Sequence, residues 1–274
     1  MDQEYETIYL DAKTNSYLFK FFSQDTKRII PMHVHKEIEL LYCVSGCLKI
    51  WIGGEIVVLK QNEFYVINSL VPHATQSLTE NEVIVLYLSE SFLKDENVQV
   101  DISSKKKETA EYQVTVDTIK EVEVQHEQVT EYLPYLQKSL IHKLQYLLLR
   151  FFSQAVDETS ERKRIQNEKV SRVIKIIQDN YTKELTLAKL SRLSGYSMNY
   201  LSRMFHQYTG QTFIEYKRSL CLEAAIKMMD ATDLSLEEIS IRSGFPNEKS
   251  MRMYFKTMIG VTPRKYKMLK NDRK

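Results

Sequence analysis

Residues 185–207 read LTLAKLSRLSGYSMNYLSRMFHQ, and this stretch decides how the carboxyl-terminal half folds. Three leucines recur at helical spacing and predict a short helix: Leu187, Leu190 and Leu193. Thr186 can cap the start of that helix, and Gly195 stands where a tight turn needs a residue that tolerates positive φ. Ser197 can cap a second helix. The inward side of that second helix is predicted to be Leu201, Met204 and Phe205. Helix, glycine-containing turn and helix form the helix-turn-helix pattern.

The outward side of the second helix carries polar and flexible side chains. Such side chains suit phosphate oxygens and the edges of bases in the major groove. The residues predicted to contact DNA from this unit are Ser197, Met198, Asn199, Ser202, Arg203 and Gln207.

The same layout recurs further along the chain. Its first helix is predicted from Leu236, Ile239 and Ile241, its turn from Gly244-Phe245-Pro246, and Asn247 can cap the next helix. That helix is expected to bury Met251 and either Tyr254 or Phe255. Its predicted DNA-facing residues are Asn247, Glu248, Lys249, Arg252 and Lys256. A long amphipathic helix over residues 213–229 would hold the two recognition helices in successive major grooves, roughly 34 Å apart.

The charge of the chain is divided between its halves. Residues 1–167 hold 18 Lys or Arg and 25 Asp or Glu, a net charge of −7, whereas residues 168–274 hold 20 and 11, a net charge of +9. A basic module that carries a recognisable docking element indicates binding to nucleic acid. The length of 274 residues favours two domains, because single cores seldom grow past about 250 residues.

Composition also places the protein in a cell compartment. No apolar run approaches the roughly 20 residues that span a bilayer, and the acidic start of the chain is not a secretory signal. The three cysteines, Cys43, Cys47 and Cys221, are too few for a disulfide framework. We therefore expect a cytoplasmic protein with no membrane association.

Short apolar runs dominate the first hundred residues and predict strands. They are Ile38 to Val44, Leu48 to Ile52, Glu55 to Leu59, Phe64 to Ile67 and Val83 to Leu88. Their even spacing indicates a sandwich or barrel over residues 1–100. Residues 101–157 are expected to hold an exposed loop, a strand near Tyr112 to Val116, and a helix or helix pair over residues 129–157, interrupted near Pro134. That helical segment either packs on its own barrel or forms a dimer interface. Residues 158–167 are the predicted linker, followed by an all-helical domain over residues 168–274.

The carboxyl-terminal half resembles the DNA-binding domain of the AraC/XylS family of bacterial regulators. The matching segments include Gly195-Tyr196-Ser197, Tyr200 to Phe205, Thr209-Gly210, Ser243-Gly244-Phe245 and Gly260 to Pro263, with Tyr216 and Tyr266 between and after them. The resemblance implies a double helix-turn-helix fold in which Asn199, Ser202 and Arg203 read bases. It also implies a homodimer, an activating role, contact with RNA polymerase, and a small-molecule effector such as a sugar.

The second unit departs from the family pattern. Met253 stands where the family usually has Arg, and Cys221 replaces a common Arg of the connecting helix. We therefore expect the second unit to bind mainly phosphates, through Lys249, Arg252 and Lys256.

The amino-terminal half resembles the cupin fold. His33, His35, Glu39 and Gly46 match the cupin spacing H-x-H-x3-E-x6-G, with His73 downstream. On an extended segment the first three share a face, and with His73 they could hold a transition metal. The second cupin motif is degraded, and cupin-like barrels of this regulator family imply a ligand cavity. We therefore expect these residues to bind a polar effector or one another, and no cofactor. Trp51 is a candidate to stack on a sugar ring, or is a core residue.

The sequence predicts an α+β multidomain protein: a cupin-like β-barrel with amphipathic helices, then an all-α double helix-turn-helix domain. We expect a sequence-specific regulator of promoter DNA, not an enzyme. Two alternatives stay open. One is a metal-dependent cupin enzyme whose helical tail localises it to DNA, and the other is a constitutive DNA-binding protein with an empty barrel.

Overall fold

The computed structural model describes residues 8–23, 29–94, 98–100, 109–126, 132–155 and 158–271. The predicted loop at residues 105–107 and part of the segment before residue 133 lie outside these ranges.

Two four-stranded antiparallel sheets form the amino-terminal barrel. The first sheet has the order β1-β8-β3-β6, from strands Ser16–Ser23, Asn81–Leu88, Ile38–Ser45 and Phe64–Ile67. The second has the order β2-β7-β4-β5, from strands Ile29–His33, His73–Ser77, Cys47–Ile52 and Glu55–Lys60. The inner faces of the two sheets meet in one cluster that includes Leu41, Val83 and Val85 of the first sheet and Leu48, Ile50 and Leu59 of the second. The predicted barrel is confirmed.

Residues 40–44 of strand β3 are apolar without a break because both faces of the strand are buried there. Leu41 and Cys43 point into the barrel, whereas Leu40 and Tyr42 point outward and are equally buried. Alternate side chains leave opposite faces of a strand, so a strand covered on both faces needs a continuous apolar run.

Helices cover the outer face of the first sheet. They are α2, Ala110–His126, and α3, Leu133–Leu147, which continues into a π-helical turn over Leu148–Phe152. The strand predicted near Tyr112 to Val116 is wrong, because this segment lies in α2. The buried positions of α2 recur at helical spacing and outweigh the strand preference of its valines: Tyr112, Val116, Ile119 and Val122.

Helix α3 packs on its own barrel, which was one of the two predicted alternatives, and this packing leaves a dimer interface open as the other. Leu140, Leu144 and Leu147 are buried, and Leu140 and Leu144 pack in the cluster between the helices and the outer face of the first sheet. Pro134 lies in the first turn of α3, where proline is tolerated, so it begins the helix and does not interrupt it. The small elements near this layer are α1, Ser91–Lys94, and the paired strands β9, Val98–Val100, and β10, Ser153–Ala155.

The predicted linker at residues 158–167 is helical. It forms the first turns of α4, Glu158–Gln178. Its charged side chains support a helix through pairs one turn apart, such as Arg164 with Glu161 and Glu168. The polar composition of residues 158–167 therefore belongs to an exposed helix and not to a loop.

The remaining helices form two helix-turn-helix units joined by one long helix. The first unit is α5, Leu187–Ser194, with α6, Met198–Thr209; the second is α8, Leu236–Arg242, with α9, Glu248–Ile259. The connecting helix is α7, Phe213–Ala231, and α10, Pro263–Asn271, closes the domain. Leu193 and Ile241, expected inside, are exposed, because α5 and α8 are so short that each buries little more than Leu190 or Ile239.

The first unit packs directly on the second sheet of the barrel. Met32, Val34 and Ala74 of the barrel belong to the same buried cluster as residues from α4, α6 and α7, among them Val173, Ile177, Met204, Phe205 and Tyr216. The barrel and the first unit therefore share one core.

Candidate nucleic-acid interface and barrel cavity

The first unit is built by the caps that its sequence predicts. The Thr186 hydroxyl accepts a hydrogen bond from the Lys189 backbone N–H at 3.2 Å, and the Ser197 hydroxyl accepts one from the Tyr200 N–H at 3.3 Å. Gly195 adopts φ +76° between the two helices, a left-handed conformation that costs glycine little. These caps fix where the recognition helix α6 begins.

The structure places the predicted DNA-contacting residues of α6 on one exposed surface. The buried side of α6 carries Leu201, Met204 and Phe205, as predicted. The exposed residues are Ser197, Met198, Asn199, Ser202, Arg203 and Gln207. Gln207 lies close to the barrel, because its backbone carbonyl is 3.5 Å from the position that a Cβ on Gly54 would take.

The second unit is built in the same way but has a different surface. The Asn247 side chain accepts a hydrogen bond from the Ser250 N–H at 2.8 Å and begins α9, which buries Met251 and Phe255. Asn247, Lys249, Arg252 and Lys256 are exposed and Glu248 is partly exposed. Glu248 is ion-paired with Arg252 one turn later, and Met253 presents a thioether that is 64% exposed.

Inside the barrel, the four residues of the cupin-like pattern converge. His33 and His73 lie opposite each other on β2 and β7, with ring centroids 4.2 Å apart. One oxygen of Glu39, on β3, lies 3.0 Å from Nε2 of His35 and 3.0 Å from Nε2 of His73. One ligand atom from each of the four side chains lies within 4.8 Å of the others. The sequence prediction that they share a site is therefore matched by the geometry.

The carboxylate of Glu39 is buried and held in its charged form. Burial alone would raise the pKa of Glu39, but the neighbouring imidazoles of His73 and His35 outweigh burial and hold that pKa well below its usual range. The cluster therefore keeps an anionic oxygen at the centre of three imidazole rings.

Backbone carbonyls orient the three rings. Nδ1 of His33, His35 and His73 lies 2.9, 3.0 and 2.9 Å from the carbonyl oxygens of Pro31, Glu37 and Val71. A carbonyl oxygen only accepts hydrogen bonds, so each Nδ1 carries a proton. Nε2 of His35 and His73 donates to the Glu39 carboxylate in this structure, and a metal ion would replace the Nε2 proton to be bound by the ring. Metal-binding histidines are commonly oriented in this way. Three imidazoles and one carboxylate suit a divalent transition ion, so the residues of this cluster fit a metal.

A cavity of about 370 Å³ adjoins the cluster. His33 and Glu39 line it, while His35 and His73 lie behind Glu39. The barrel wall of the cavity includes the apolar side chains of Phe19, Phe21 and Leu41 and the hydroxyl-bearing side chains of Thr75 and Tyr87. Its size lies in the range of cavities that bind small molecules.

The other wall of the cavity comes from the DNA-binding half, which the sequence did not indicate. Residues of α4 and α7 line it, including Lys175, Gln178, Leu220, Glu223, Ala224 and Lys227. On a helix these residues look like an ordinary charged surface. Only the packing of the two halves brings them to the mouth of the barrel.

Trp51 does not line the cavity. Leu48 and Ile50 of β4 point inward, so the alternating pattern directs Trp51 outward, where it packs against the core shared with the first unit. Its ring also lies under the Lys49 ammonium, 4.3 Å from the ring centroid. Trp51 therefore lies outside the lining of this cavity and packs against the first unit, while its stacking on a sugar stays a prediction.

A cupin-like barrel joined to two helix-turn-helix units defines the class of DNA-binding transcription regulators. A cupin domain model matches residues 22–89 and a helix-turn-helix domain model matches residues 190–268. Over 92 residues the chain is 33% identical to multiple antibiotic resistance protein MarA of Escherichia coli, covering 34% of this chain and 72% of MarA. The chain belongs to the AraC family of transcription regulators, whose members bind double-stranded DNA.

Other similar proteins match over different lengths. The uncharacterized HTH-type transcriptional regulator YtdP of Bacillus subtilis is 29% identical over 128 residues, covering 46% of this chain and 17% of YtdP. The apo form of a ToxT variant from Vibrio cholerae has the same overall fold, with a TM-score of 0.50 and 15% identity over 93% of this chain and 97% of ToxT. The relatives are transcription regulators. Among the described helices, none has the length and apolar content needed to cross a membrane.

Proposed function

We propose that this protein regulates transcription by binding promoter DNA with an affinity that depends on a small polar effector in the barrel cavity. The observation that carries this proposal is the composition of the cavity wall. Residues of the barrel, such as His33 and Thr75, and residues of the DNA-binding half, such as Gln178 and Lys227, line the same space. A ligand there contacts both halves, so it can favour one arrangement of them over another.

The effector class we propose is a sugar or a related polyol. The cavity combines apolar side chains with both donors and acceptors, which are His33, Glu39, Thr75, Tyr87, Lys175, Gln178, Tyr181, Glu223 and Lys227. A few placed polar groups in an apolar cavity are typical of sites that select polar small molecules. His35 and His73 support the Glu39 carboxylate from behind.

A substitution that fills the cavity tests this proposal. Ala224→Phe places a ring in the cavity from α7, whereas Ala231→Phe adds the same ring at the exposed end of the same helix. A sugar that binds should raise the Tm of the full chain and of Ala231→Phe but not of Ala224→Phe. If no sugar or polyol raises the Tm of the full chain, the effector class is wrong.

We propose a division of labour on DNA between the two units. By analogy with the family, Asn199, Ser202 and Arg203 of α6 read base edges, supported by Met198, Gln207 and the cap Ser197. Lys249, Arg252 and Lys256 of α9 bind phosphates, and Asn247 and Glu248 shape the start of that helix. Both sets are exposed, as contact with DNA requires, and the division itself rests on the family analogy.

The remaining parts of the proposal follow from family membership. We propose an activator that acts in the cytoplasm as a homodimer and contacts RNA polymerase. Exposed apolar side chains on α3 support an interface there: Tyr135, Leu136 and Tyr146. Sedimentation of the full chain and of Leu136→Glu checks this, because a charge on the interface should shift the dimer towards monomer while Lys138→Glu, also exposed on α3, should not.

A further inference from the structure

The two histidine-bearing strands of the second sheet form a wall one strand thick between the cluster and the DNA-binding half. Along residues 32–35, His33 and His35 face the cluster, while Met32 and Val34 belong to the core shared with the first unit. Strand β7 repeats this pattern, with His73 in the cluster and Ala74 in the shared core. Alternate side chains of one strand therefore contact the two sites.

On this wall, one backbone carbonyl accepts a hydrogen bond from a histidine of the cluster, and the neighbouring carbonyl accepts one from a helix of the DNA-binding half. The Pro31 carbonyl accepts a hydrogen bond from Nδ1 of His33, and the next carbonyl, that of Met32, accepts one from the Tyr216 hydroxyl of α7. Tyr216 is fully buried, so this bond joins the barrel to the connecting helix without competition from water.

The same arrangement occurs on the loop before β7. The Val71 carbonyl accepts a hydrogen bond from Nδ1 of His73, and the preceding carbonyl, that of Leu70, lies 3.0 Å from the Ser171 hydroxyl of α4. Ser171 shares its proton with the Asn167 carbonyl of its own helix, at 2.7 Å. Leu70 itself has φ +61°, a backbone conformation that residues other than glycine seldom adopt.

We infer that a divalent transition-metal ion bound by His33, His35, Glu39 and His73 is a regulatory input, which β2 transmits through the Met32–Tyr216 hydrogen bond to the DNA-binding half. A bound ion would hold the three rings in place, and the Nδ1 hydrogen bonds of His33 and His73 would then restrain the peptides of Pro31 and Val71. The adjoining peptides hold α7 and α4. This inference rests on the proposed function, since it adds the metal to the regulation of the same cavity.

Zn²⁺ binding by the full-length chain is the first measurement. We expect one Zn²⁺ per chain by elemental analysis and calorimetry after treatment with a chelator. His33→Ala removes a half-buried ligand and Glu39→Gln keeps the shape of the side chain without its charge. Both variants should lose the ion while they keep a cooperative unfolding transition. If the intact chain holds no Zn²⁺, Ni²⁺ or Mn²⁺ at micromolar concentration, the inference is overturned.

DNA binding with and without Zn²⁺ is the second measurement. The duplex is one that the full-length chain selects from a random pool, with selections run in both conditions. We expect Zn²⁺ to change the Kd for this duplex by at least about five-fold, the lower end of ordinary coupling between two sites. By reciprocity, the duplex changes the affinity for Zn²⁺ by the same factor.

Tyr216→Phe separates transmission from binding. This variant should retain one Zn²⁺ per chain and lose most of the Zn²⁺-dependent change in Kd. Tyr208→Phe is the matched control, because Tyr208 is a buried tyrosine of the same shared core. It should behave like the unmodified chain. An unchanged response in Tyr216→Phe overturns the route through Met32.

The outcomes also separate this inference from the proposed function. A chain that binds Zn²⁺ but selects no duplex contradicts both. A chain whose DNA binding is specific but indifferent to Zn²⁺ overturns the metal input alone and leaves the small-molecule effector in place.

Discussion

The two helix-turn-helix units have the same local design but different cores. Both begin their recognition helices with a side-chain cap, at Ser197 and at Asn247, and both end them at a glycine with positive φ, Gly210 or Gly260. The first unit buries its apolar side against helices and against Met32, Val34 and Ala74 of the barrel. Among the described residues, the buried cluster of the second unit contains only residues from the helical half.

This difference assigns different tasks to the two units. A change in the barrel reaches the first unit through direct packing, whereas among the described residues the second unit meets the cavity through α7 and Tyr181, which lines the cavity and packs in the core of the second unit. The unit that we propose to read bases is therefore also the unit whose core includes residues of the barrel.

Truncation of the buried methionines gives the largest expected effect. Met204 of α6 is 3% exposed and Met251 of α9 is 0% exposed. Each change to Ala should reduce the free energy of unfolding by about 2–5 kcal/mol, because it leaves a cavity in a packed core. Met204→Ala should also speed hydrogen exchange in β2 and β7, since its core includes Met32 and Ala74.

Met251→Ala is the control for this comparison. It should leave exchange in β2 and β7 unchanged and speed it in α8 and α9. Equal protection of the barrel strands in both variants would show that the first unit does not share a core with the barrel.

The turn glycines give the next largest difference. A Cβ on Gly244 would lie 2.8 Å from Cα of Thr182 and 3.1 Å from the Tyr181 carbonyl, whereas a Cβ on Gly195 meets no atom within 4 Å. Gly195→Ala should cost about 1–2 kcal/mol, the penalty of a left-handed residue. Gly244→Ala adds overpacking of about 1–3 kcal/mol to the same penalty. Chemical denaturation of both variants measures the two costs, and equal costs would contradict the close contact at Gly244.

The sequence was sufficient for the helix caps and for the histidine-bearing segment, which depend on local spacing. Helix caps such as Thr186, Ser197 and Asn247 act within four residues, so the pattern of the chain reveals them. The cluster of His33, His35 and Glu39 was also within reach, because alternation on a short segment puts them on one face. The valines of α2 misled the prediction, since strand preference is weaker than the spacing of buried positions.

The cavity wall from α4 and α7 could not be predicted in the same way. Lys175 and Lys227 join His33 around one space only after the two halves pack together. No local pattern distinguishes a helix face that covers a cavity from one that faces water. Similarly, the outward direction of Trp51 follows from which sheet face meets the first unit, and that contact is between distant parts of the chain.

Loss of a base-reading arginine should have a smaller but specific effect. Arg203→Ala should weaken binding to the selected duplex by about 1–3 kcal/mol and relax base preference at one position. Lys256→Ala, on the second unit, should weaken all duplexes alike and reduce the salt dependence by about one unit of slope. Anisotropy titrations with specific and scrambled duplexes over a range of salt check both. Equal loss of specificity in the two variants would contradict the division of labour.

The smallest expected effect is a gain of DNA binding by the second unit. Met253 is an exposed residue of α9 at a position where the family usually has arginine, so Met253→Arg restores a cation to a surface already occupied by Arg252 and Lys256. One added phosphate contact should steepen the dependence of log K on log salt by about 0.9. Met268→Arg adds the same charge at a similarly exposed position on α10. If the two variants steepen the salt dependence equally, net charge and not the second recognition helix explains the gain. A larger effect at Met253 would instead show that α9 lies on the phosphates of the duplex.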